Sequence, residues 1–83
     1  MNNANATTII RLLAAIELAS EDAIDPDAAI ELLELAASQL HSGNSDERFC
    51  LSEAVDSILD SDEDLSPEEV EFYEHFMENF GLK

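Results

Sequence analysis

Positive charge is what this chain has least of. Of its 83 residues only Arg11, Arg48 and Lys83 are basic, against 20 acidic ones, for a formal net charge of -17. Such a surface repels DNA, RNA and anionic lipid, so no direct binding to nucleic acid or membrane is expected. Cysteine is nearly absent as well. Cys50 stands alone, so no disulfide can form within the chain. Small secreted domains usually need such staples, which makes a reducing cytoplasm the expected location. With two glycines only, Gly43 and Gly81, there is no phosphate-cradling glycine loop. Long apolar runs are missing too: residues 9–19 are interrupted by Arg11 and Glu17 and are too short to span a bilayer. The leading MNNANATT lacks a basic stretch, so neither a signal peptide nor a transmembrane helix is expected.

What is present is a 46% hydrophobic chain rich in Ala, Leu and Glu, enough apolar material for a core. It reads as one acidic helical domain over residues 1–83, with residues 1–6 a frayed polar lead-in. Thr7 or Thr8 starts a first helix, in which Ile9, Leu12, Leu13 and Ile16 share one face and Ile10 and Leu18 widen it. Asp25 and Pro26 form the cap and first position of a second helix, with Ile30, Leu33, Ala37 and Leu40 as its stripe. Ser45 is the expected cap of a third helix, with Ser52 as a competing start; Leu51, Ala54, Val55 and Ile58 form its stripe and it ends near Asp60. Ser66 and Glu69 match a capping box around Pro67 and open a fourth helix, whose face is Tyr73, Phe76, Met77 and Phe80 and which Gly81 closes. The expected fold is all-α, a small compact antiparallel bundle of four helices, or three if the third stretch is irregular at its start.

Nothing in this pattern specifies a reaction. His41 and His75 are the only histidines; neither has a Glu three residues before it, and neither belongs to an HExxH arrangement. Cys50 reads as a small apolar side chain. No enzymatic activity, cofactor or metal is expected. The acidic connection is the one stretch that tempts otherwise. Asp60, Asp62, Asp64 and Glu71 fall at positions 1, 3, 5 and 12 of a calcium loop, but Leu65 stands where the turn needs glycine and Pro67 interrupts the loop. A connection followed by a capped helix explains Ser66, Pro67 and Glu69 together. Asp56-Ser57-Ile58 is similar to the prosthetic-group tripeptide of acyl carrier proteins, yet Ser57 lies inside a helical pattern where that serine opens a helix.

The acids themselves divide in two. Asp25, Asp27, Asp46, Glu47, Glu68 and Glu69 sit at helix starts, where caps and the helix dipole favour them. Asp56 with Asp60, Glu74 with Glu78, and Glu71 with Glu74 are like-charge neighbours, each pair costing a helix about 0.2–0.5 kcal/mol. No base lies three or four residues from an acid, so local spacing neutralises none of them. The second half of the chain thus carries charge that opposes folding. Solubility or a salt-adapted proteome is one explanation. A helical adaptor, docking a partner or a second copy through its C-terminal aromatic helix with Phe72 exposed, is another. The third is nucleic-acid mimicry, because carboxylates at i and i+4 stand about 6 Å apart, comparable to phosphates along a strand. In size, charge and helicity the chain resembles the small acidic inhibitors that phages and mobile elements direct at host nucleases, the anti-restriction and anti-CRISPR proteins. That resemblance implies a basic, nucleic-acid-binding protein as partner. The acidic face expected to meet it comprises Asp56, Asp60, Asp62, Glu63, Asp64, Glu71, Glu74 and Glu78.

Overall fold

Polar as it is, the N-terminal segment is helical. In this computed structural model, which describes residues 2–61 and 64–82, α1 spans Asn3–Glu17. The Asn5 N–H donates to the Asn2 side-chain oxygen at 2.8 Å, capping the helix five residues earlier than Thr7. Ala6, expected in a frayed lead-in, is fully buried. The inner face of α1 is Ala6, Ile10, Leu13 and Ala14, rotated from the expected stripe, so that Leu12 is 59% exposed.

The second helix, α2 (Pro26–His41), starts as its residues dictate: the Ala28 N–H donates to the Asp25 carboxylate at 3.2 Å and Pro26 takes the first position. The third, α3 (Ser45–Ser61), is continuous, which removes the three-helix alternative. Its cap is Asn44, one residue before Ser45. The Glu47 N–H donates to the Asn44 side chain at 2.9 Å and the Asn44 N–H donates back to Glu47 Oε1 at 3.2 Å. The capping box of α4 (Pro67–Glu74) forms as expected, with Glu69 N–H to Ser66 Oγ and Ser66 N–H to Glu69 Oε1 both at 3.2 Å. The expected fourth helix breaks at His75, leaving a short α5 (Phe76–Asn79). Gly81, at φ +68°, lets the Leu82 N–H reach the Met77 carbonyl at 2.8 Å and the Gly81 N–H reach that of Glu78 at 3.1 Å, a Schellman closure. Leu82 is thereby folded into the core.

Among the described residues the fold is therefore an all-α bundle of five helices without a strand. α1 packs most extensively on α3 and also meets α2 and α4, while α3 meets α4 and α5. The core is built by α1, α3, α4, α5 and Leu82; α2 contributes no buried residue to it. At its centre Phe72 meets Tyr73, Phe76 and Phe80 edge-on, at ring-centroid distances of 5.7, 5.9 and 6.2 Å, and Phe76 stacks on Phe80 at 4.6 Å. Phe72, expected to be exposed, is thus buried. The correction has a packing cause: α1 packs on α4, and three other rings contact Phe72. Among the described residues no polar or charged residue is buried, so this interior is held by apolar contact. No described helix is long and apolar enough to cross a membrane.

Candidate functional site

On α3, Phe49, Ser52 and Asp56 follow one another at helical spacing and point away from the core stripe of Leu51, Ala54, Val55 and Ile58. On the facing elements, Glu74 ends α4 and Met77 and Glu78 lie on α5. Between them runs a groove of about 350 Å³. Buried Val55, Tyr73 and Leu82 line it from within, Met77 is half-buried along it, and Phe49 stands over it with 65% of its surface exposed. Asp56, Glu74 and Glu78 line the same groove and are exposed. One member of the α3 pair, Asp56, therefore meets both members of the pair Glu74 and Glu78 across a tertiary contact. His75 Nδ1 lies 3.8 Å from Glu78 Oε2, with both side chains about half exposed, so this contact contributes little to stability.

The other expected residues distribute differently. Glu71 is exposed and lines a second groove with Glu17, Glu68 and His75. Asp60 and Asp64 are exposed and line neither groove. Asp62 and Glu63 lie outside the described residues. What was read as one acidic face is thus shared between at least two grooves. Local spacing gives no carboxylate a basic neighbour, but tertiary packing does. Arg11 lines a groove with Glu68 and Glu69, and Arg48 lines the one with Asp56, Glu74 and Glu78. These neighbours come from other helices, which a rule about i+3 and i+4 spacing cannot see. Arg48 is partly occupied elsewhere: its Nη2 donates to the His41 carbonyl at the end of α2 at 2.7 Å.

Phe49 is the residue that sequence reasoning missed. Its signal was available, since it stands two residues from Leu51, slightly more than half a turn around the helix from the core stripe. A large ring in that position has no place in the interior of α3. Among the described residues no group of three or more His, Cys, Asp or Glu is arranged to hold a metal ion. Cys50, the lone thiol, is half-buried. Comparison with protein families, with curated proteins and with solved structures finds no match to this chain.

Proposed function

We propose that this protein is a non-enzymatic inhibitor or regulator that works in the cytoplasm by presenting the acidic face of α3, α4 and α5 to a basic protein surface. The partner class is a nucleic-acid-binding protein, whose nucleic-acid site the acids occupy as phosphates would, in the manner of anti-restriction and anti-CRISPR inhibitors. The observation that carries this reading is the convergence of Asp56 with Glu74 and Glu78 on one exposed groove. Acids that serve solubility alone are free to spread out, and spreading lowers their mutual repulsion. Here packing brings carboxylates from α3, α4 and α5 onto one groove.

The test is capture of partners from a lysate of the source organism on the immobilised protein, eluted by rising salt and by added DNA or RNA. The retained partner is expected to bind nucleic acid, to be released by it, and to lose affinity steeply with ionic strength. Reversal of Asp56 and Glu74 to Lys is expected to abolish retention while leaving the helical circular dichroism intact. A partner held equally at high salt, or indifferent to nucleic acid, overturns the proposal. A protein-docking adaptor is the second reading, favoured by exposed Phe49 together with Leu32 and Leu35 on α2. In that form it no longer uses Phe72, which belongs to the core.

A further inference from the structure

We infer that the groove between α3 and α4–α5 docks an amphipathic, basic segment of a partner protein, with an apolar side chain of that segment anchored against Phe49 and its Lys or Arg side chains facing Asp56 and Glu74. This rests on reading the acidic face as an interface, and it names what that interface takes. The inference starts from Phe49. A phenylalanine left 65% exposed above buried Val55, Tyr73 and Leu82 is an apolar surface continuous with the core and unfinished on its outer side. Met77, half-buried beside it, is unbranched and adjusts to the shape of what it meets. A groove running between helical elements is the form in which proteins accept an amphipathic helix, read by apolar anchors at helical spacing.

Charge then selects the occupant. Asp56 borders the groove from α3 and Glu74 from α4, so a segment lying in it meets carboxylates on both flanks. Arg48, whose Nη2 donates to the His41 carbonyl at 2.7 Å, also lines the groove and keeps its charge, so the lining sets the carboxylates of Asp56, Glu74 and Glu78 against one guanidinium and stays acidic in balance. A second copy of this chain would bring a charge of -17 against another of -17, and a nucleic acid would be repelled in the same way. A cationic segment is attracted, and its apolar face covers a ring that charge alone leaves in water. This distinguishes the groove from a purely phosphate-like surface. The contact has a salt-sensitive rim and a salt-insensitive anchor.

The experiment uses the full chain and a synthetic probe. The probe is a Leu/Lys peptide of about 16 residues, about 24 Å long as a helix, with Leu at i, i+3, i+4 and i+7. A scrambled peptide of the same composition is the control, and binding is followed by fluorescence anisotropy. The patterned peptide is expected to bind more tightly than the scrambled one. Phe49→Ala is expected to weaken the patterned peptide by about tenfold or more and to leave the scrambled one unchanged. Asp56→Lys with Glu74→Lys is expected to weaken binding far more than Glu31→Lys with Glu34→Lys, which changes net charge equally on α2. Phe49 is exposed, so its variant is expected to keep the parent melting temperature; Phe49→Tyr, which retains the ring, is expected to keep the parent affinity. Equal binding of the two peptides, an unaffected Phe49→Ala, or equal effects of the two charge reversals overturns the inference. So does Phe49-dependent self-association in sedimentation equilibrium, which assigns the groove to a second copy. Sensitivity to rim reversal without sensitivity to Phe49→Ala removes the anchor and keeps the acidic face. Insensitivity to both removes the acidic face as well.

Discussion

α2 and α3 are alike in length and in how they start, and differ in how deeply they are buried. They run for 16 and 17 residues, each opened by an acidic or amide side chain that caps its first turn. α2 is the more apolar of the two, yet it buries nothing completely, while α3 buries Leu51, Ala54, Val55 and Ile58. The difference lies in their neighbours. α3 is flanked by α1, α4 and α5; α2 rests mainly on α1. Its packed side, Leu33, Ala36, Ala37 and Leu40, is only half-buried, and Leu35 remains 59% exposed. Amphipathicity records that a helix has an inner side. The rest of the fold decides how much surface is there to receive it.

Four substitutions sharpen or break that contrast. The largest effect is expected at the shared centre: Phe76→Ala, at a fully buried ring, should cost about 3–5 kcal/mol, a large part of the roughly 5–15 kcal/mol that folds a domain. Urea denaturation reads it directly, and a loss under about 1 kcal/mol would move the centre elsewhere. Next come matched truncations in the two helices. Ile58→Ala on α3 should cost about 2–5 kcal/mol, and Leu33→Ala on α2 clearly less, since Leu33 is only half-buried. Equal losses in the same urea titrations would make α2 a full member of the core and erase the contrast. Smallest of all is Leu35→Ala, expected to shift stability by no more than about 0.5 kcal/mol. A larger drop that grows with protein concentration would reveal that Leu35 is covered by another molecule in solution.

The same comparison explains what could be read from residues alone. Asp25 with Pro26, Ser66 with Glu69, and Gly81 all do in the structure what their local chemistry dictates, because caps and left-handed turns are settled within four residues. Misreadings begin where the deciding contact is distant. Ala6 is core because α1 extends back to Asn3 and α1 packs on α3, although its Asn- and Thr-rich surroundings read as a loose tail. Phe72 lies at the edge of its helical stripe and is buried because α1 and three rings enclose it. The break at His75 has no proline or glycine to announce it. For the candidate site, the acids were legible as like-charge pairs, but their sorting into separate grooves and the presence of Phe49 among them depend on how α3 meets α4 and α5.

The apolar interior has an experimental consequence. Since no described acidic side chain is buried, the electric field of this molecule and its architecture can be edited apart. Exchanging its exposed aspartates and glutamates for asparagine and glutamine, with Asp25, Glu47 and Glu69 kept for their caps, would produce a nearly isosteric sibling of the same shape with the field switched off. Whatever this protein does through its contour the sibling would still do, and whatever it does at a distance the sibling would lose.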